Sequence, residues 1–501
     1  MDIKELLQGT GAEAVSGSVK KLEIRSVTQD SRKVEKGDLF VAVAGSTADG
    51  ALYAADAVKA GAAAIVAERK LEVKVPVFVV SNTRRALAEI AANLYKHPAK
   101  ELTLLGITGT NGKTTTAFLL EAMCSAGGAF TGLLGTIEYR FAGRSIDPSH
   151  TTPDALGLHK LFREMVDAGV DTVIMEVSSH ALDQDRVHGL TFRAAGFTNL
   201  TRDHLDYHKD MEPYFQAKRK LFAENLSPGG VAVVNGDDTN AVRIYNELRG
   251  SKRMAWKFSR EAGEISAAGV EFSLNGIRGT LKTPAGDIPI RSSLLGAHNL
   301  ENIMAAAGLA LGAGLSRRDV QDGIERVVRV PGRMEAVEDR GVHGLVDYAH
   351  TDDALRKALE SIRPLTRGRV ICVFGCGGDR DTGKRPLMGQ AAAEGADIVV
   401  VTSDNPRSED PEDIVSGIAP GIEKAGLRRM SAGKARAGER GYLVEVDRAA
   451  AIALAASLAK EGDVVLVAGK GHEAYQIIDG EKRPFDDKAE LEKALRERSV
   501  G

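Results

Sequence analysis

The chain has 501 residues, too many for one hydrophobic core, and ordinary domain sizes predict about three domains, each with its own core. Its 66 basic and 69 acidic residues leave a net charge of -3, which lacks the electrostatic footprint of a nucleic-acid or anionic-membrane binder and points to small-molecule partners. Three cysteines (Cys124, Cys372, Cys376) make no disulfide framework, the opening MDIKELLQGT lacks a signal-peptide plan, and no apolar run reaches membrane-spanning length, so a soluble cytoplasmic protein without membrane insertion is expected.

Short Val/Ile/Leu runs alternate with glycine turns and helical patterns, so an α/β fold is expected. GDLFVAVAG, GAAAIVAE and PVFVVSN read as strands and TRRALAEIAANLYKHPA as a helix, a small module over residues 1–100. Next, ELTLLGITGTNGKTTTAFLLEAMCSAGG reads as a strand, a glycine-rich turn and an amphipathic helix. DTVIMEVSS, RAAGFTNL and GGVAVVNGDD add strands, PYFQAKRKLFAENL and NLENIMAAAGLALGAG add helices, and a mainly parallel sheet wound with helices is expected over residues 101–331. Beyond Pro331 the alternation restarts with HGLVDYAH, RVICVFG, ADIVVVTS and DVVLVAGKG, a third α/β domain over residues 332–501.

The strongest chemical signal is GITGTNGKTTT. Gly109, Gly112 and Lys113 occupy phosphate-loop positions: backbone N–H groups of such a turn converge on phosphate oxygens, Lys113 reaches the terminal phosphates, and Thr114, opening the helix, can hold Mg²⁺. Two residues rather than four separate Gly109 from Gly112, a shortened form of the common pattern. Glu176 ends an apolar strand, where a buried carboxylate needs a cation; metal contact is favoured over a structural ion pair. NLTRDHLDYH places His204, Asp206 and His208 close together; zinc ranks below Mg²⁺, because no third strong ligand is near. Lys218, by itself, reads as a lysine on the wet face of a helix.

GTNGKTTT, EVSSHAL, TNLTRDHLDYH, AKRKLF, GAHNLENIMAA, VPGRME, DYAHTDDAL, FGCGGDRDTGKRPLMG, DNPRSEDP and VAGKGHE, with TQDSRKVEKGDLFVAVAG near the start, form an ordered series over essentially the whole chain. It resembles the Mur ligases, on the branch that adds meso-diaminopimelate. The resemblance implies an N-terminal UDP-sugar-binding domain, a central P-loop-type ATPase and a C-terminal Rossmann-like domain that brings the amino acid. It also implies the chemistry: ATP phosphorylates the D-glutamate side-chain carboxylate of a UDP-N-acetylmuramoyl dipeptide, and the amine of diaminopimelate displaces phosphate, a step in peptidoglycan precursor synthesis. Positioning and charge neutralisation by Lys113 and Mg²⁺ are then the main catalytic devices.

Carried over by position, Gly109, Thr110, Asn111, Gly112, Lys113, Thr114 and Thr115 form the ATP loop, and Asn299, Asn302, Arg333 and Asp347 lie near the nucleotide. Thr114, Glu176, His204 and Lys218 would hold Mg²⁺, with Lys218 carbamylated, a change that turns a cation into an anion. Ser31, Ser46, Thr47, Ala48, Thr151, Thr152, Ser178, Gln184 and Arg186 fall on UDP-sugar peptide positions. Arg380, Asp404, Asn405, Pro406, Arg407, Gly469 and Glu473 fall on amino-acid positions. His150 departs from the Asn frequent before the Thr pair, and Asp352 from the Pro frequent in that motif. The basic stretch RRMSAGKARAGERG, Arg428 to Gly441, is expected to be a solvated loop, and Cys372 and Cys376 to be packed small residues.

A nucleotide-driven switch is disfavoured by the absence of an [NT]KxD guanine-reading motif. A folylpolyglutamate-type ligase should lack DNPR and the N-terminal module. A ligase adding L-lysine is separated by one group: diaminopimelate is lysine with a further carboxylate, which Arg407 can grip with two prongs, and an unpaired Arg407 would disfavour lysine by about 1.5 to 3 kcal/mol. A surface salt bridge with Glu409 or Asp410 is the bland alternative for Arg407. A monomer is expected.

Overall fold

The computed structural model describes residues 1–16, 22–45, 49–251 and 253–498; Ser46, Thr47 and Ala48 lie outside the described residues. The first sheet has five strands, in the order Glu13–Ser16, Val77–Val79, Ala64–Ala67, Leu39–Val41, Val27–Thr28, parallel except for the first. The helix Thr83–Leu94 covers it, started by Asn82, whose side chain accepts from Arg84 N and Arg85 N. Its Ala86, Leu87 and Ile90 are buried against Leu39, Val41 and Val66.

The central sheet has eight strands, six of them parallel: Met254–Phe258, Leu226–Asn235, Phe192–Phe197, Thr103–Thr108, Thr172–Glu176 and Thr131–Leu134. Glu176 pairs with Ile107 and Phe197 with Thr108, so three strands end level. That register sets the Gly109 turn beside the Glu176 carboxylate and Thr198. The helix Lys113–Ala126 packs on one face through Leu119, Leu120 and Met123, fully buried aliphatic side chains worth about 1.5–3 kcal/mol each.

The third sheet runs Glu335–Asp339, Val342–Asp347, Val464–Ala468, Val370–Phe374, Ile398–Val401, Gly441–Val444, parallel after the first pair. Three of these strands, Val370–Phe374, Ile398–Val401 and Val464–Ala468, are buried throughout, which explains their continuous apolar runs. Their carboxyl ends place Asp404 and Gly469 at one edge. A hairpin of Tyr475–Ile478 and Glu481–Pro484 lies beside that edge.

Some elements differ from the sequence expectation. Tyr139–Phe141 and Arg144–Ile146 extend the central sheet antiparallel, and Ser266–Ser273, Gly276–Lys282 and Ile288–Ser292 form a separate antiparallel sheet. The strand Ser266–Ser273 is mostly exposed, so it has no apolar run to read; the available signal was Asn275-Gly276, which ends the two-residue turn and opens the next strand with Gly276 at φ 119. The stretch Arg428 to Gly441 is not a plain loop: it holds the short helix Ala432–Arg436, and Arg429 bridges to Tyr442. Cys124, Cys372 and Cys376 are free and buried, and burial pushes each thiol up to about 12.

Candidate active site

The turn after Thr103–Thr108 is held by the next loop along the sheet. Thr110 N donates to Asn199 O (2.8 Å), Asn111 N to Asn199 Oδ1 (2.9 Å) and Thr198 Oγ1 to Asn111 O (2.5 Å). Gly109 (φ 143) and Gly112 (φ 85) have conformations that favour glycine, and a Cβ on either would overlap Thr198 Oγ1 or Asn302 Oδ1 respectively. Lys113 Nζ folds onto Gly109 O (3.0 Å) and Thr110 O (2.9 Å), and burial lowers its pKa against the opposing pull of Glu176 and Asp203.

Glu176 is 1% exposed, yet its carboxylate has three donors: Thr136 N and Thr136 Oγ1, both at 2.9 Å, and Thr114 Oγ1 at 3.2 Å. Among the described residues no salt bridge reaches it, so the structural ion pair is not how its charge is accommodated. Arg333 Nη2 donates to the same Thr114 hydroxyl (3.2 Å), its guanidinium lying 4.5 Å from the Tyr348 ring. Asp347 accepts Met334 N (2.7 Å) and Ala349 N (2.9 Å), and burial raises its pKa with Arg333 opposing.

Lys218 corrects the reading of a wet-face lysine. The helix Met211–Ala223 turns it inward, 2% exposed, with Nζ donating to Gly109 O (2.7 Å) and 4.5 Å from the Tyr214 ring. Burial, followed by the Lys113 charge, lowers its pKa well below the ordinary lysine value. One acceptor for a group with three donors does not suit an ammonium; it suits a neutral amine or an amine converted to an acid. His204, at φ 54, stacks edge-on with His180 at 4.9 Å and is held below its ordinary range by enclosure, with Asp203 opposing. The bonded oxygen donors Thr114 and Glu176 suit the expected Mg²⁺, which prefers hard ligands, while His204 joins them only as a lining residue of the same cavity.

A cavity of about 220 Å³ brings these groups together. It is lined by Thr110 to Thr115, Thr151, Glu176, Ser178, His204, Lys218, Asn299, Asn302, Arg333 and Asp347, and also by Asp203, His298, Glu301, Tyr348, His350 and Lys357, which carried no expectation. Asn302 both braces its helix, donating to Asn299 Oδ1 (2.9 Å), and faces Gly112. From the third unit, Asp353 accepts a hydrogen bond from the loop's Asn111 Nδ2 (3.0 Å).

Thr152 Oγ1 donates to Glu176 O (2.8 Å) and accepts Ser178 N (3.0 Å), which ties the Thr152 loop to the end of the Glu176 strand. Arg186 donates to Thr152 O (2.8 Å) and Gln184 Oε1 (2.8 Å) and has no carboxylate partner among the described residues. It lines a second cleft, of about 300 Å³, between the first and central units, with Gln29, Arg84, His150, Asp154 and Gln184. Ser31 starts the turn Ser31–Lys33, two residues past Gln29, and is not among the lining residues.

At the third sheet's edge, Arg407 (φ 56) docks its backbone on the hairpin, N to Ile477 O at 3.0 Å, and its Nη1 donates to Gly378 O at 2.8 Å. Glu409 is taken by Arg385 (2.7 Å), so the surface salt bridge with Arg407 is replaced by another pair. Asn405 Nδ2 donates to Glu473 Oε2 (2.8 Å), and a Cβ on Gly469 would come within 2.6 Å of Asp404 Oδ2. Arg380 is exposed and bonded to Asp379 O (3.2 Å). Lys470, with a side chain 0% exposed, donates to Asn405 Oδ1 (3.1 Å) and Glu473 Oε2 (3.0 Å). Its place just past a strand's carboxyl end was the signal that could have marked it.

Three family models match the chain: "Mur ligase family, catalytic domain" at residues 23–95, "Mur ligase middle domain" at 107–310 and "Mur ligase, glutamate ligase domain" at 332–471. A UDP-N-acetylmuramoyl-L-alanyl-D-glutamate–2,6-diaminopimelate ligase of Geobacter sulfurreducens is 45% identical over 100% of both chains, and that of Gloeobacter violaceus 46% over 99% of both. A solved structure of a ligase with the same name superposes with TM-score 0.70 at 33% identity, covering 99% of each chain. The chain belongs to the Mur ligase family.

Proposed function

We propose that this protein is the ATP-dependent ligase that attaches meso-2,6-diaminopimelate to UDP-N-acetylmuramoyl-L-alanyl-D-glutamate. The observation that carries the choice of amino acid is Arg407: a guanidinium at the sheet edge, on the loop that also holds Asp404 and Asn405, bonded only to carbonyls among the described residues. Residues 1–100 and the Arg186 cleft would take the UDP-sugar peptide, residues 101–331 ATP, and residues 332–501 the amino acid.

The γ-phosphoryl group of ATP passes to the D-glutamate side-chain carboxylate, giving ADP and an acyl phosphate. The neutral amine then attacks the acyl carbon, the C–N bond forms, the C–O bond to phosphate breaks, and the proton lost from nitrogen is taken up by the departing phosphate. Lys113 and the N–H groups at the helix start, Gly112 to Thr115, would steady the phosphate charge, with Arg333 reaching the Thr114 hydroxyl from the third unit. Thr114, Glu176, His204 and a carbamylated Lys218 would hold Mg²⁺, which when bound screens charge between the reacting oxygens. Asp404 and Glu473 suit the distal ammonium and Arg407 the distal carboxylate, the group that L-lysine lacks.

Phosphate release, measured with ATP, the UDP-dipeptide and either diaminopimelate or L-lysine, tests this. Diaminopimelate should be the better substrate, and Arg407→Ala should lower its kcat/KM roughly ten- to hundredfold, the scale of a charged hydrogen-bond pair, with the KM for ATP little changed. Faster turnover with lysine, or equal losses for ATP and diaminopimelate, would overturn the substrate assignment.

A further inference from the structure

The strands Ile398–Val401 and Val464–Ala468 end at the two loops that carry Asp404, Asn405 and Arg407 on one side and Gly469 and Glu473 on the other. They are not neighbours in the sheet, because Val370–Phe374 lies between them, so no ladder of backbone hydrogen bonds sets the spacing of their ends. Arg448, the first residue of the helix Arg448–Leu458, spans that gap. Its Nη1 donates to Ser403 O (3.1 Å) and its Nη2 to Ala468 O (3.0 Å), the carbonyls immediately before Asp404 and Gly469. The rest of the guanidinium is gripped two-pronged by Asp487, Nε to Oδ1 and Nη2 to Oδ2, both at 2.7 Å. Both side chains are 0% exposed, so Arg448 cannot itself meet a ligand.

A fully buried ion pair is poor evidence for stability, since apolar residues of similar volume often replace one without loss. What apolar residues cannot reproduce is the pair of bonds to the two carbonyls. Little slack is available there: a Cβ on Gly469 would lie 2.6 Å from Asp404 Oδ2 and 3.9 Å from Arg448 Nη2. Lysine would keep the charge opposite Asp487 but has no planar fork to reach both carbonyls.

We propose that Arg448, oriented by Asp487, is a positioning residue that fixes the distance between the two amino-acid loops; this rests on the reading of these loops as the diaminopimelate site. The test is steady-state kinetics of wild type, Arg448→Lys and the double variant Arg448→Met with Asp487→Leu, alongside thermal melting. Both variants should raise the KM for diaminopimelate about tenfold or more, the loss expected when buried acceptors go unmet, and leave the KM for ATP and the UDP-dipeptide within about twofold. The double variant, freed of the unpaired charge but with two carbonyls unmet, should melt below wild type yet stay folded, and a rise confined to the diaminopimelate KM separates positioning from a general loss of stability. If the double variant does not fold, Arg448→Lys decides alone. A diaminopimelate KM within about twofold of wild type in folded variants would overturn the inference, as would equal rises for all three substrates. If the wild type turns over neither amino acid, the substrate reading itself has failed.

Discussion

At Lys218 the surroundings decide what the amine can be. Helical spacing alone could have placed it inside, since it lies three and four residues from Phe215, Tyr214, Leu221 and Phe222, the apolar face that the helix Met211–Ala223 buries, but that spacing says nothing of its chemistry. Only the resemblance of AKRKLF to a family motif marked it. Burial shifts the amine toward its neutral form relative to free lysine, and a neutral amine can add CO₂. Because the pKa is lowered, that neutral form is present above the lowered value and is lost as pH falls through it. Protein equilibrated with ¹³C-bicarbonate should therefore show a carbamate carbonyl resonance that disappears on acidification and is absent in Lys218→Ala. That variant should lose kcat by about a hundred- to thousandfold, the usual effect of removing one charge-stabilising group. A wild-type enzyme active without any such resonance would sink the assignment.

At the scale of elements, the phosphate turn was legible because three physical requirements coincide in one short string: a strand end, glycines at left-handed positions and a helix start. The two loops proposed to take the amino acid stand out for a similar reason, each lying just past a continuous apolar strand. The Arg448 and Asp487 pair was not, since residues 39 apart in sequence meet only after the sheet forms and neither sits in a local pattern. Cross-chain crowding is equally invisible, and Gly112 shows its consequence. Gly112→Ala would face both the φ of 85 and the Asn302 carboxamide, whereas Gly143→Ala, at φ 75, has nothing within 4 Å of its new Cβ. Both should lose about 1–3 kcal/mol of stability to backbone strain in urea titrations. Only Gly112→Ala should also lose ATP-analogue binding by calorimetry; comparable affinity in the two variants would count against Gly112 as part of the nucleotide cradle.

Across the whole molecule, the third unit reaches the central one through Arg333 to Thr114, Asp353 to Asn111 and Arg202 to Asp381, and its Arg333, Asp347, Tyr348 and His350 line the cavity of the phosphate loop, whereas Asp404, Asn405, Arg407, Gly469 and Glu473 do not. The first two contacts sit inside the site and would change chemistry directly if altered. Arg202 and Asp381 offer a cleaner measure of how much domain contact matters, because the pair lies outside the cavity with side chains 43% and 24% exposed and a closest distance of 3.1 Å. An ion pair this open contributes about 0–1 kcal/mol. If that energy favours the arrangement in which amine and acyl phosphate meet, Arg202→Glu should lower kcat by up to about fivefold, and joining it with Asp381→Arg should restore the rate. The difference between wild type and Arg202→Glu should shrink near 1 M salt, where charges are screened beyond about 3 Å. A reversed pair as slow as the single variant would mean that Arg202 acts through some other contact, and the work of holding the units together would then fall to Arg333 and Asp353, whose partners lie on the phosphate loop and its helix.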